Sequence, residues 1–177
     1  MKLFIDTSNK KFILALINDL EVISFEMKDT NNNVAKMANK WIEQFLKKNK
    51  VKLSDIDTFY TTIGPGSFTG VKVSANIINT IKLTRDIGIE VINTFELLNM
   101  TGVDWIAIPF GKSKHYLKWN KIWKPGFKTV TELPEPNEKI VGIIGYEHFD
   151  AKELQKKLHK FKTVNKVEPI YAKINYK

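Results

Sequence analysis

A switch of hydrophobic period along residues 2 to 93 constrains the fold of this chain more than any other feature. Three strand-sized apolar runs, Lys2 to Asp6, Phe12 to Asn18 and Glu21 to Met27, are separated by Asn9-Lys10-Lys11 and by the turn chemistry of Asn18-Asp19. Such short polar breaks suit hairpins, so these runs predict an antiparallel meander. From Val34 the spacing becomes helical: Val34, Met37, Ala38, Trp41, Ile42, Phe45 and Leu46 share one stripe, which ends in Lys47-Lys48-Asn49-Lys50. Lysines there suit the negative end of the helix dipole. Thr58 to Ile63 is β-branched and aromatic, the make-up of a buried strand. Helical spacing resumes over Val71 to Asp86 through Val71, Ala75, Ile78 and Ile81; Gly88 offers a stop, and Glu90 to Asn93 reads as another short strand. Parallel neighbours joined through a helix need a crossover, so together with the meander this order predicts a mixed α/β sheet with helices packed on it.

Beyond residue 93 the pattern thins. Thr94 to Met100 predicts a short helix capped by Thr94, and Trp105 to Ile108 and Lys114 to Trp119 predict strands around a Pro109 to Ser113 turn. Ile140 to Gly145 reads as a buried strand, Ala151 to Lys160 as a helix with Leu154 and Leu158 inward, and Val167 to Tyr176 as an edge strand. Pro125-Gly126 and Pro134-Glu135-Pro136 mark loops. No repeat or Gly/Ser linker intervenes, so a boundary near Ile92 to Phe95 divides two packed lobes, 1–93 and 94–177.

With 177 residues, 43% apolar and 27% charged, the chain can bury a core and resembles neither collagen, a disordered tail nor a membrane bundle. Apolar runs such as Phe12 to Ile17 fall far short of the ~20 residues of a membrane span. The absence of Cys excludes a disulfide framework, thiolate metal ligation and a cysteine nucleophile. Met1 to Asp6 reaches an acid after three apolar residues, so no export signal is read and a cytoplasmic location is expected. The formal charge is +9, yet 27 of the 28 basic residues are Lys and Arg85 is the single Arg. Scattered Lys gives a diffuse, salt-screened field rather than bidentate phosphate recognition, so the charge reads first as solvated surface. Residues 94 to 177 are the more basic part at +6, against +3 for residues 1 to 93, which leaves weak RNA attraction as a second reading.

Two segments could carry chemistry. Gly64-Pro65-Gly66-Ser67-Phe68-Thr69-Gly70 stands between a strand and a helix, where glycines permit close backbone approach and Ser67 or Thr69 can cap the helix. Free N–H groups at such a helix start could hold a phosphate or carboxylate; equally, the segment makes an ordinary strand-to-helix turn. Asp6-Thr7-Ser8 ends the first strand, where a cleft-facing carboxylate can hold a hydrated cation and the hydroxyls a phosphate, or where the three simply form an Asx turn. Asp6, Thr7, Ser8, Gly64, Gly66, Ser67, Thr69 and Gly70 are therefore the candidate nucleotide-binding residues. His115, His148 and His159 form no pair one helical turn apart and no His-Glu-x-x-His segment exists, so no catalytic or metal-ligating residue is assigned.

An N-terminal strand ending in Asp-Thr-Ser, a meander, an amphipathic helix and Gly-Pro-Gly-Ser-Phe-Thr-Gly at residues 64 to 70 closely resemble the TsaB (YeaZ) family. Pro169-Ile170-Tyr171 is similar to that family's C-terminal Pro-x-Tyr. The resemblance implies an actin-like ATPase, ribonuclease-H-like fold of two lobes and a part in making threonylcarbamoyladenosine, next to the anticodon, in tRNA. It further implies a non-catalytic subunit, not an enzyme by itself, that binds and stabilises the catalytic paralogue TsaD, with TsaE joining and tRNA met through the complex. The implied pairing uses the helices at Val34 to Asn49 and Val71 to Asp86, with Met37, Trp41, Phe45, Lys72, Asn76 and Asn79 as candidate interface residues. Self-pairing is expected when the partner is absent. No cofactor is firmly implied; ATP or ADP with magnesium would sit at the partner interface. The alternative is an ATP-binding enzyme or nucleotide switch acting through Asp6 and the Gly64 to Gly70 loop. Lys72 stands where the family commonly has Arg, Asn31-Asn32-Asn33 replaces a frequent His-Ser pair, and Pro109-Phe110-Gly111 replaces an Asp-Ala-Arg-like strand end, although Tyr116 remains. The 84 residues from 94 to 177 also make a shortened second lobe.

Overall fold

A computed structural model describes residues 1–31, 33–110, 114–119, 127–134 and 141–170. The meander forms as expected from β1 (Lys2–Asp6), β2 (Lys11–Asn18) and β3 (Glu21–Asp29), each antiparallel to the next. The third strand runs on to Asp29, which pairs with Lys11 in register and forms a 2.9 Å ion pair with it. Helix α1 (Val34–Lys48) buries Val34, Ala38, Ile42, Phe45 and Leu46 and ends in Lys47 and Lys48. Strand β4 (Thr58–Thr62) lies parallel to β1, and β5 (Gly88–Ile92) parallel to β4. Helix α2 (Phe68–Thr84) crosses between them and starts three residues before Val71, because Ser67 already caps it by accepting from Gly70 N at 3.3 Å. Gly88 does not stop that helix; it opens β5, where a Cβ would meet Thr58 side-chain atoms at 3.1 Å.

Helix α3 (Thr94–Leu98) is capped by Asn93, whose side chain accepts from Phe95 N at 2.8 Å, rather than by Thr94, which is buried inside the helix. A second sheet follows in the order β8-β7-β6-β9, from β6 (Trp105–Phe110), β7 (Lys114–Trp119), β8 (Lys128–Val130) and β9 (Gly142–Ile144). Strand β6 continues through Pro109 and Phe110, so the expected turn does not begin at Pro109. Helix α4 (Ala151–Lys157), capped by Asp150, tightens into a 3-10 turn over Leu158–Lys160; Leu154 and Leu158 point inward as expected. The edge strand is β10 (Lys162–Thr163), antiparallel to β5, whereas residues 167 to 170 are irregular. Pro125-Gly126, Glu135-Pro136 and Tyr171 to Tyr176 lie outside the described residues.

Six strands in the order β10-β5-β4-β1-β2-β3 thus form the main sheet, and strand alternation divides its apolar residues between two cores. On one face Leu3, Ile5, Phe12 and Leu14 pack with Ala38, Ile42 and Phe45 of α1 and Ala75 and Ile78 of α2. On the other, Phe4, Ile13, Ala15 and Tyr60 pack with Ile106, Tyr146, Phe149 and Leu154 of the second lobe. Each fully buried Leu, Ile or Phe contributes roughly 1.5–3 kcal/mol, which makes the inter-lobe face as much a core as the helical one. After β10, the segment to Ile170 stays on the first lobe: Val164 N donates to Ile89 O at 2.9 Å and Ile170 N to Ile63 O at 2.7 Å.

Candidate functional site

Because β1 and β4 run parallel, their C-terminal ends lie side by side, and the segments leaving them meet. The structure thereby brings Asp6-Thr7-Ser8 against the Gly64 to Gly70 loop. Ser67 N donates to Ser8 O at 2.7 Å, and Thr7 Oγ1 reaches into the first turn of α2, donating to Gly70 O at 2.6 Å and accepting from Ser74 N at 3.1 Å. A Cβ on Gly66 would lie 2.2 Å from Ser8 O, and one on Gly70 1.9 Å from Thr7 O. These glycines are small because two backbones touch there. Gly64, at φ +93°, accepts from Thr94 N at 2.9 Å and so ties the loop to the start of α3. Ser67 is half-buried by its capping role, and Thr69 is exposed.

Asp6 does not face an open cleft. Its carboxylate is fully buried, accepting from Ser8 N at 2.7 Å, from Thr62 Oγ1 at 2.8 Å and from the hydroxyl of Tyr146. Burial raises its pKa above the ordinary carboxylate range against the opposing pull of these hydrogen bonds. The Tyr146 phenol is pushed well up in turn, by burial and by the neighbouring carboxylate. Tyr146 comes from the second lobe, directly after β9, and packs beside Phe149 at 5.2 Å between ring centroids. Sequence reading missed it; its only local sign is a Gly145-Tyr146 step closing a buried strand. As it stands the cluster satisfies itself, and a nucleotide phosphate or hydrated cation would have to displace the Tyr146 hydroxyl.

The candidate interface residues divide. Phe45 is buried at 2% exposure beneath α1, so it belongs to the sheet core instead of a partner face. Trp41 and Met37 are half-buried, and Trp41 leans on Phe12 at 5.3 Å between ring centroids. Asn79 spends both amide atoms on the backbone of Val167, at 3.0 and 2.9 Å, and clamps the C-terminal segment to α2. Lys72 and Asn76 are exposed, and the Lys72 ammonium sits 3.9 Å from the centre of the Phe68 ring. Between α1 and α2 lies an apolar groove of about 870 Å³ that sequence reading did not anticipate. Ile5 and Phe59 form its floor, Ile42, Leu46, Ile77 and Ile81 its walls, and Asn39, Lys47, Asn76 and Thr80 are at its rim. Among the described residues no three His, Cys, Asp or Glu side chains converge, and no helix is long and apolar enough to cross a membrane.

This architecture is the two-lobed, actin-like and ribonuclease-H-like α/β fold. It superposes on YeaZ from Pseudomonas aeruginosa with a TM-score of 0.65 at 15% identity, over 97% of this chain and 99% of that one. The family model for TsaD, the tRNA N6-adenosine threonylcarbamoyltransferase, matches residues 28–104. A Mycoplasma pneumoniae protein described as an uncharacterized MG208 homolog is 31% identical over 118 residues, covering 65% of this chain and 60% of the relative. The tRNA threonylcarbamoyladenosine biosynthesis protein TsaB of Bacillus subtilis is 28% identical over 100 residues, covering 56% of this chain and 44% of TsaB. The chain therefore spans about half of the length of the curated relatives it matches. In fold the chain is thus similar to YeaZ, and over 100 residues of sequence it is similar to TsaB.

Proposed function

We propose that this chain is a non-catalytic assembly subunit of the cytoplasmic machinery that makes threonylcarbamoyladenosine in tRNA, and that it docks and stabilises a TsaD-type transferase through its α1–α2 face. The observation that supports this most is the groove between those helices, which reaches the sheet at Ile5 and Phe59 and exposes mostly apolar surface from Ile42, Leu46, Ile77 and Ile81, with Glu43, Lys47, Lys50 and Lys52 also lining it. An apolar notch of this depth suits a partner's side chains better than water. TsaE would join, tRNA would be met through the complex, and ATP or ADP with magnesium would sit at the partner interface. The competing reading, a nucleotide enzyme or switch acting through Asp6 and the 64–70 loop, needs ATP affinity in the isolated chain; full burial of Asp6, Thr7 and Ser8 weighs against it. Size-exclusion chromatography with light scattering tests the proposal. A one-to-one complex with TsaD at micromolar concentration is expected, with self-paired chains when TsaD is left out; separate elution under all nucleotide conditions would overturn it.

A further inference from the structure

We propose that Tyr146 is an inter-lobe latch: its hydroxyl on Asp6 holds the second lobe shut over the ends of β1 and β4, and the Asp6 to Ser8 segment becomes accessible only when that bond is broken. The two partners are 140 residues apart in sequence and sit on different lobes. The Tyr146 ring is fixed in the inter-lobe core beside Phe149, so its hydroxyl is presented rather than free to wander. Asp6 Oδ1 has donors from its own lobe, Ser8 N and Thr62 Oγ1, whereas Oδ2 takes the phenol of the other lobe. A buried carboxylate oxygen stripped of its donor is costly. The Ser8 hydroxyl, 3.5 Å from the phenol oxygen and itself bonded to Asp6, is the neighbour that stays; water, the replacement from outside, enters only if the lobes part. Parting would also hydrate Asn9 Nδ2, a buried donor without a hydrogen-bond partner among the described residues that abuts Gly145 at the same seam. Movement of this segment reaches α2 through Thr7, which holds Gly70 O and Ser74 N of the first helical turn.

Amide hydrogen exchange on the full chain tests the latch. Tyr146→Phe removes one oxygen and keeps the ring, so peptides spanning residues 3–10 and 66–75 are expected to exchange at least tenfold faster while β2, β3 and the C-terminal half of α1 keep wild-type protection. A smaller change at those two peptides, or uniform acceleration throughout the chain, would overturn the proposal. Asp6→Asn is the second variant: it keeps an acceptor for Ser8 N and Thr62 and offers an amide donor to the phenol oxygen, so exchange within threefold of wild type is expected. Tenfold acceleration in Asp6→Asn would equally overturn it.

Discussion

Gly70→Ala tests whether the glycines of the 64–70 loop serve backbone contact. The added methyl would sit 1.9 Å from Thr7 O and 2.9 Å from its carbonyl carbon, about 1.5 Å short of ordinary contact with the oxygen. Neither neighbour is a flexible side-chain tip, so the loop and the end of β1 must separate. Separation breaks the bonds from Thr7 Oγ1 to Gly70 O and from Ser74 N to Thr7 Oγ1, at about 1 kcal/mol each. Overpacking adds roughly 1–3 kcal/mol. Against this, alanine is better than glycine in a helix by up to about 1 kcal/mol. The net cost is about 3 kcal/mol, which for a chain of this size lowers Tm by roughly 6–12 °C. Thermal unfolding followed by far-UV circular dichroism measures it. A Tm within about 2 °C of wild type would mean that propensity wins, refuting close approach as the reason for glycine and returning the loop to a ligand-cradling role.

Asp6 binds its proton more tightly folded than unfolded, because burial outweighs its hydrogen bonds. Relative to Asp6→Asn, the wild type should therefore gain stability as pH falls from neutral through the raised folded pKa toward the usual ~4, a trend that parallel stability curves for the two proteins would contradict. Asn79→Leu removes both hydrogen bonds to the Val167 backbone, at about 2 kcal/mol together; faster tryptic cleavage after Lys166 is expected, and wild-type cleavage kinetics would show that the clamp is idle. Asn76→Arg combined with Thr80→Arg places two bulky charges at the groove rim on exposed positions. It should weaken TsaD binding at least tenfold with an unaltered melting curve, and unchanged affinity would remove the groove from the interface.

The first lobe was legible because each of its elements is long enough to show a period. The α1 stripe from Val34 to Leu46 buries one face, and the unbroken apolar run Phe12 to Ile17 of β2 buries both, so pattern and packing agree. Beyond residue 93, β8 and β9 have three residues apiece and β10 only two, too few for any period, and β10 returns to the first-lobe sheet because β5 offers it an unpaired edge. Helix starts slipped where the cap lay ahead of the apolar pattern: α2 begins three residues before Val71, behind the expected cap Ser67, and α3 is capped by Asn93, one residue before Thr94. The meeting of Asp6-Thr7-Ser8 with the Gly64 to Gly70 loop follows from parallel β1 and β4 and was visible in element order. That these glycines permit close backbone approach was legible as well, but the atoms approached were not, since they belong to residues about 60 positions away. Tyr146 was invisible for the same reason: nothing near it in sequence indicates a carboxylate across the lobe boundary. The helical stripes told which side chains enter the core, so Phe45 was misplaced only by asking one stripe to serve two surfaces.

The central claim is that this chain supplies a docking face to a transferase and performs no chemistry itself. Its most direct test is the threonylcarbamoyladenosine content of tRNA after incubation with TsaD, TsaE, the small-molecule substrates and either the wild-type chain, the Asn76→Arg/Thr80→Arg variant or no added chain. Modification with the wild type and near-background levels with the other two are predicted. Full modification without the chain, or modification by the chain in the absence of TsaD, would contradict the account.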